Sequence, residues 1–524
     1  MENGFNNLTK KQFFLSRLAL RGNLLYTKKR PALSSMTCSF EACPSNGGEM
    51  KEYKLLINGN WEEGVEIRDI KSPFSEKTVA KVHFAGKSQV EKAIAAAHTA
   101  FSETKKLSSH ERSQVLEKIS FEISRRGDEL AESIVLSSGK PLKSAQVEVS
   151  RGINTFKIAA EEAKRINGEV IPLDLSPQTK KRWGLVRHFP IGIIAGITPF
   201  NFPLNLVAHK VAPALAAGNT FIARPASQVA QTTMLLADII RESGYPAGGF
   251  NAVPCGYKAA DSLIEDERVK MITFTGSADI GWGLKKKANK KIVTLELGGN
   301  AAVIIEPDAD LEFAVKRSVL GSFAYSGQVC ISIQRIFLHE KIYDCFVEDF
   351  IAAVKCLKTG DPLEEDTDIG PLIDRKAAVK TEEWIEEAVD NGARILWGGK
   401  REGVMFEPTV LEKVDPKLRI SRLEAFAPVA VIHKYSDYKE AIREVNNSIY
   451  GLQAGVFTRD INKAFMAFEE LEVGGVIVND IPTFRIDHMP YGGVKESGFG
   501  REGLKYAIEE MTEIKLMALN LAKN

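Results

Sequence analysis

A multidomain α/β architecture is predicted by three observations. The chain is 524 residues long, more than one compact core accommodates, so two or three domains are expected. Between Gly184 and Ser277 short β-rich runs alternate with amphipathic stretches, the rhythm of βαβ units and a mainly parallel sheet. After Gly298 the alternation restarts and continues to "GGVIVND" at Asp480, which predicts a second α/β domain.

Each element follows from its local pattern. Residues 1–49 stand apart: Met1 to Ser35 holds Lys10, Lys11, Arg17, Arg21, Lys28, Lys29 and Arg30 against the single acid Glu2. That basic, acid-poor stretch reads as an organelle transit peptide, as an unstructured leader, or as sequence ahead of a start at Met50. "MKEYKLLINGNW" opens the first strand. From Gln89 to Ile166 apolar residues recur at three and four, predicting several helices. "EVIPLDLSPQTKKRWGLVRHF" reads as a hairpin that leaves the first domain and returns, and the tail after Leu504 is expected to pair with such an arm in a partner subunit. "GLVRHFPIGIIAGITPF" is β-rich, and "LVAHKVAPALAAG" is a helix stopped by Gly218. Strand "NTFIARPAS", helix "VAQTTMLLADIIRESG", strand "FNAVPC", helix "AADSLIED" and strand "VKMITFTGS" complete the series.

Composition excludes several functions. With 69 basic and 68 acidic residues the net charge is +1, without the basic excess of a nucleic-acid binder. No apolar run reaches the roughly 18 residues of a membrane span. Cys38, Cys43, Cys255, Cys330, Cys345 and Cys356 match neither a disulfide scaffold nor a zinc pattern, so no metal is expected and a reducing compartment is.

Taken singly, the chemically interesting residues are ambiguous. Cys330 in "SGQVCISIQ" reads as a small core residue or as a nucleophile. Glu296 in "TLELGGN" reads as a solvated strand-end acid, a partner for a lysine, or a general base. Asn201 in "TPFNFPLN" reads as a turn residue or as an amide donor. In chain order, however, "TPFNFPLNLVAHKVAPALAAGNT", "FTGSADIG", "LELGGN", "GQVC", "EAFAPV" and "PYGGVKESGFGREG" resemble the aldehyde dehydrogenase superfamily from Lys54 to about Met517. The closest likeness is to its branch of lactaldehyde, phosphonoacetaldehyde and non-phosphorylating glyceraldehyde-3-phosphate dehydrogenases.

The resemblance implies a Rossmann-like dinucleotide-binding domain over 50–171 and 190–297, a second α/β catalytic domain over 298–481, and a β-hairpin oligomerisation arm with a C-terminal segment over 172–189 and 482–524. It implies Cys330 as nucleophile, Glu296 as general base, and Asn201 with the backbone N–H of Cys330 as oxyanion donors. For the cofactor, NAD or NADP, it implies Thr198 and Pro199 along the groove, Gly276, Ser277 and Gly281 at a turn into a helix facing the pyrophosphate, and Gly256 beside them. Glu424 would hold the nicotinamide ribose and Phe426 would pack near its ring. The family usually has lysine where Arg224 stands, and many NAD-specific members have glutamate at Ser227. Arginine beside serine removes a repulsion toward a 2′-phosphate and offers a planar fork to it, so NADP is expected to be accepted.

For the substrate, Arg151, Phe202 and Arg485 are the candidates. Val329 stands where phosphate-binding members place arginine, and Ala324 where succinate-semialdehyde enzymes do. Phe323 alone makes no choline cage. A short hydroxyaldehyde such as lactaldehyde or glycolaldehyde, or a small acidic aldehyde held by Arg151 and Arg485, remains; an ion-pair role for both arginines stays open. The expected function is oxidation of such an aldehyde to the acid by a homodimer or homotetramer, cytoplasmic, or in the mitochondrial matrix if the leader is a transit peptide. The alternatives are a non-redox acyl hydrolase and a non-catalytic protein on the same scaffold.

Overall fold

The computed structural model describes residues 50–521; the expectations for the leader lie outside them. Two large sheets organise these residues. The first has eight strands, ordered Gly498–Phe499, Ile292–Glu296, Val269–Thr275, Ile193–Ile197, Thr220–Arg224, Phe250–Ala252, Leu55–Ile57 and Asn60–Glu62. The middle five pair in parallel. Ile193–Ile197 and Thr220–Arg224 are buried at every position, as a sheet covered on both faces requires.

Their order carries the functional consequence. Among the five parallel strands the chain starts at Ile193–Ile197, builds outward through Thr220–Arg224 and Phe250–Ala252, then returns to the other side with Val269–Thr275 and Ile292–Glu296. Where that direction reverses, helices diverge to opposite faces and leave a crevice at the carboxyl ends of the strands.

Helices Lys87–Thr104, Ser109–Arg125, Gly127–Ser138 and Leu142–Ala163 fill the region of predicted helical periodicity. Ser108 and Glu111 form a reciprocal capping box at the start of the second, satisfying two otherwise orphaned N–H groups. Asn205–Ala217 is buried along its whole length and ends, as predicted, at Gly218 in the left-handed region (φ 86°).

The second sheet has seven strands, ordered Arg394–Trp397, Thr409–Glu412, Val429–Tyr435, Ile333–His339, Ala301–Ile305, Gln453–Phe457 and Gly475–Val478. All pairs are parallel except the one made by Arg394–Trp397.

The predicted hairpin is present as Glu169–Pro172 against Arg182–Pro190. One expectation is corrected here. The tail strand Thr512–Asn520 pairs with the arm of its own subunit, from Thr512 opposite Pro190 to Asn520 opposite Arg182. The reason is local: helix Leu504–Glu510 packs on Asn205–Ala217, and Asn219 Nδ2 donates to the Met511 carbonyl at 2.8 Å, so the chain emerges already beside Pro190. Among the described residues no helix is long and apolar enough to cross a membrane, and no group of three or more metal-ligating side chains is assembled.

Candidate active site

Four strands of the first sheet deliver their chemistry to one edge. Ile193–Ile197 ends in Thr198, Pro199 and Asn201; Thr220–Arg224 ends on Arg224; Val269–Thr275 leads to Gly276; Ile292–Glu296 ends on Glu296 itself. At the reversal point lies a cleft of about 570 Å³ whose lining includes Thr198, Pro199, Arg224, Thr275, Gly276 and Ser277. Ser277 is the N-cap of helix Ala278–Lys287 and makes no side-chain cap bond, so the first-turn amides face the cleft without a side-chain acceptor. Thr275 Oγ1 is buried without a partner on the same wall. An anionic, hydroxyl-bearing ligand such as a dinucleotide satisfies both features, and these residues fit one.

Gly281 sits inside the helix rather than closing the turn before it, and a Cβ there would lie 2.4 Å from Leu297 Cδ2; it permits close packing of helix on strand. Arg224 is buried, donates from Nε and Nη2 to the Cys255 carbonyl at 3.2 and 3.0 Å, and lies over the Tyr257 ring at 5.2 Å. Ser227 is half-buried on the short turn Ser227–Val229, between the lining residues Ala226 and Gln228. Gly256 is the N-cap of helix Tyr257–Glu265, with nothing within 4 Å of a Cβ there.

Cys330 comes from the other sheet, just ahead of strand Ile333–His339. Its loop is fastened on all sides. Tyr325 and Ser326 hold left-handed φ values of 50° and 54°, a strain that persists only where the surroundings over-determine it. Those surroundings are Ser326 Oγ donating to the Gly370 carbonyl (2.7 Å) and Gln328 bridging the Pro371 carbonyl (3.2 Å) and the Ile373 N–H (2.9 Å). Gly327 follows at φ 68°, where a Cβ would lie 2.1 Å from the Ala427 carbonyl oxygen, so only glycine serves. Asn201 Nδ2 donates to the Gln328 carbonyl at 3.0 Å, while its Oδ1 is buried and unpartnered.

Cys330 is half-buried as a residue, and its thiol meets a phenol: Sγ lies 3.1 Å from the Tyr491 hydroxyl. Burial pushes the thiol up to about 12, opposed first by that contact, while Glu424 and Glu296 push the same way as burial and Arg485 against it. Glu296 is buried, so it is no solvated strand-end acid, and neither of its oxygens has a hydrogen-bond partner among the described residues. Burial and the charge of Glu502 hold it well above the usual carboxylate range. Glu424 Oε1 accepts the Gly299 N–H at 2.9 Å, and burial lifts its carboxyl to about 7. Gly299 is required sterically, since a Cβ there would lie 2.3 Å from the Cys330 carbonyl oxygen, whereas a Cβ at Gly298 would lie 2.4 Å from Glu424 Oε2 and push that carboxylate aside. Phe426, left-handed at φ 53°, stands edge-on to Phe200 at 5.9 Å.

Both candidate substrate arginines carry internal partners. Arg151 Nη2 donates to Asp487 Oδ1 at 2.9 Å, and Arg485 Nη2 to Glu502 Oε2 at 2.9 Å. Arg485 also stacks over the Tyr491 ring at 3.6 Å. The Phe202 ring receives the buried Lys140 ammonium at 3.7 Å. Sequence reasoning singled out neither Tyr491 nor the buried set Lys210, Glu502, His209 and Asp487. Tyr491 and Glu502 lie within "PYGGVKESGFGREG", and a backbone bridge joins them, so the motif held the signal without its geometry.

An α/β fold with this cleft at its switch point is that of a dinucleotide-dependent oxidoreductase. A model of the Aldehyde dehydrogenase family matches residues 61–517. The 3-sulfolactaldehyde dehydrogenase of Priestia megaterium is 44% identical over 474 residues, covering 90% of this chain and 99% of its own. The lactaldehyde dehydrogenase of Methanococcus aeolicus is 41% identical, covering 89% and 100%. Among solved structures, aldehyde dehydrogenase 21 from Physcomitrella patens in complex with the reaction product succinate superposes with a TM-score of 0.89 at 45% identity, covering 90% of this chain and 98% of that one. Glyceraldehyde-3-phosphate dehydrogenase GapN from Methanocaldococcus jannaschii, complexed with NADP, gives 0.83 at 42%, covering 86% and 98%. The chain belongs to the aldehyde dehydrogenase family, and it is an NAD(P)-dependent enzyme of that family.

Proposed function

We propose that the enzyme oxidises a small polar or anionic aldehyde to its carboxylic acid, with Cys330, Asn201 and Glu296 doing the chemistry. The observation that carries the substrate class is the Arg485 guanidinium, 3.6 Å over the ring of Tyr491, whose hydroxyl touches Cys330 Sγ. That guanidinium, although paired with Glu502 at 2.9 Å, still acts electrostatically on the Cys330 thiol one ring away, and it favours a substrate with negative or strongly polar character close to the aldehyde carbon. The names of the sulfolactaldehyde and lactaldehyde relatives, and the succinate held by the moss enzyme, support the same class.

Cys330 adds as thiolate to the aldehyde carbon, forming a tetrahedral hemithioacetal. The oxyanion that develops is met by the Asn201 carboxamide, freed from the Gln328 carbonyl, and by the Cys330 backbone N–H. The bound dinucleotide supplies a hydride acceptor; Thr198, Pro199, Gly256, Gly276 and Ser277 would hold it, with Glu424 on its nicotinamide ribose and Phe426 near its ring. Glu296 takes a proton from the water that hydrolyses the remaining thioester, giving the free acid. Its lack of hydrogen-bond partners leaves both oxygens available for that water. A non-redox hydrolase or a non-catalytic protein is not favoured, since the cleft, the thiol and the buried acid are all present.

Arg224 and Ser227 support use of NADP. Arg224 donates to protein from Nε and Nη2, leaving Nη1 for a 2′-phosphate. The arm sheet supports self-association as a dimer or tetramer, since Val170, Ile514, Leu516 and Met517 are exposed on it. A cytoplasmic location is proposed, or the mitochondrial matrix if the leader is a transit peptide; fluorescent fusions of the full chain distinguish them. An aldehyde panel followed at 340 nm with NAD and NADP tests the main reading. Lactaldehyde, glycolaldehyde, glyceraldehyde 3-phosphate and succinate semialdehyde are compared with a plain aliphatic aldehyde. At least one polar or anionic member is expected to exceed the aliphatic one ten-fold or more in kcat/KM; an aliphatic preference overturns the substrate class.

A further inference from the structure

Tyr491 is held more firmly than a lining residue needs to be. Its N–H donates to the Glu502 carbonyl at 3.0 Å and its carbonyl accepts the Glu502 N–H at 2.6 Å, so its backbone is clamped on both sides. Its ring packs with Ile331 and Leu452, beside Val329 and Cys330, and Arg485 covers one face. Arg485 is held in turn by Glu502, which also accepts from the Lys210 ammonium at 2.7 Å. The only hydrogen-bond partner of the phenol oxygen among the described residues is Cys330 Sγ, at 3.1 Å.

We propose that Tyr491 is a further catalytic residue: its phenol donates its proton into a hydrogen bond with Cys330 Sγ, stabilising the thiolate and fixing the direction from which sulfur approaches the aldehyde. A phenol is both donor and acceptor, so the contact alone does not set its direction. The surroundings do. The hydroxyl has no other acceptor, and a buried O–H left undonated is costly. A guanidinium over the ring draws electron density from it and makes the phenol a better donor. Donation to an ionised sulfur is worth about twice a neutral bond, so the contact strengthens as the thiol loses its proton. Tyr491 keeps its own proton throughout, since burial and the neighbouring sulfur push the phenol well above its ordinary value. The groups acting on the thiol are Tyr491 and Arg485, which favour the thiolate, and Glu424 and Glu296, which oppose it.

This inference rests on Cys330 being the nucleophile, and the test separates the two. Tyr491→Phe removes one oxygen and leaves the ring and its stacking. Iodoacetamide alkylation of Cys330 is followed by peptide mass across pH 6.5 to 10.5, in wild type and variant, beside the activity of Cys330→Ala. The expected result is a shift of the Tyr491→Phe profile upward by about one pH unit, a ten-fold loss of thiolate below it, with a similar fall in kcat/KM at neutral pH. Superimposable alkylation profiles, with or without a change in melting temperature, overturn the role of Tyr491, because a purely structural residue would alter stability and leave thiol ionisation alone. If Cys330→Ala retains activity, the nucleophile assignment falls instead.

Discussion

At the scale of single residues, the site is a set of polar groups whose ordinary chemistry has been withheld from water. Cys330→Ala is expected to abolish NAD(P)H formation, measured at 340 nm, while dinucleotide binding measured by calorimetry persists. Asn201→Ala removes the proposed oxyanion donor, and a loss of about 10² to 10³ in kcat is expected. A smaller loss than ten-fold argues that the backbone N–H alone suffices. Glu296→Gln is expected to leave the first turnover fast and slow the later ones, seen as a burst in stopped-flow absorbance. No burst in the variant would place Glu296 before hydride transfer. The pH dependence has a definite sign. Burial raises Glu296 well above the carboxylate range and the Cys330 thiol to about 12; with Cys330 proposed to attack as thiolate, kcat/KM is expected to climb through the neutral range into alkali, and with Glu296 proposed as the later base, kcat is expected to climb as well. Arg224→Ala is expected to lower kcat/KM with NADP about ten-fold or more while changing the NAD value less; equal losses with both cofactors refute phosphate recognition by Arg224.

At the scale of elements, catalytic competence depends on close approaches between a loop of one sheet and a turn of the other. Gly299 passes so near the nucleophile loop that an added Cβ would lie 2.3 Å from the Cys330 carbonyl. Gly299→Ala must therefore displace that loop, and a misplacement of about 1 Å costs on the order of 10²-fold in rate. The expected outcome is a comparable fall in kcat/KM with dinucleotide binding retained; unchanged kinetics would mean that the loop yields freely. Much of the element level was legible beforehand. Alternating strands and helices and the stop at Gly218 come from short-range periodicity and backbone sterics, which act within a few residues. The partner of the tail was misread because strand pairing is decided by where the preceding helix leaves the chain, and Leu504–Glu510 leaves Thr512 beside Pro190 of the same subunit. The role of Gly281 was misread for a similar reason: its value lies in contact with Leu297, a residue of another segment.

At the scale of the whole molecule, the buried ionisable groups set how stability follows pH. His209 and His433 are held neutral, both lowered to about 4 by burial, with Arg485 and Arg335 respectively adding to it. For His209 the carboxylate of Asp487, 3.0 Å from Nε2, can only accept, which places the ring proton on Nε2. The unfolded chain binds protons at these rings near 6.5 and the folded chain does not, so stability present above 6.5 is lost as pH falls toward 4, about 3 kcal/mol for each ring. Glu502, held at about 2 although burial opposes it, by Lys210 first and then Arg485, loses its contribution below roughly 4.5. Glu296 and Glu424 act oppositely: raised in the fold, they bind protons that the unfolded chain has released, so stability falls as pH rises above roughly 4.5, for Glu424 until about 7. Between roughly pH 4.5 and 6.5 the two histidines and the two raised carboxyls offset one another, so scanning fluorimetry is expected to show a broad plateau there, with a steep loss below about 4.5 as Glu502 takes up its proton and a gentler decline above 6.5. Glu424→Gln removes one opposing carboxyl and is expected to tilt that plateau, stability then falling between 6.5 and 4.5; a profile still flat in the variant would contradict the burial of the two histidines.

The sequence by itself determined the kind of molecule and its chemistry. Strand–helix alternation specifies an α/β fold, and six motifs in order specify the family, with Cys330, Asn201 and Glu296 among their residues. Only the tertiary structure decided what surrounds those residues: that Arg151 and Arg485 are each tied to a carboxylate, that Glu296 is left without a partner, and that a tyrosine 161 positions away rests on the sulfur. The physical reason is range. Periodicity and turn chemistry are written within a few residues of each other, whereas burial and charge pairing depend on groups far apart in the chain that meet only after the two sheets have packed.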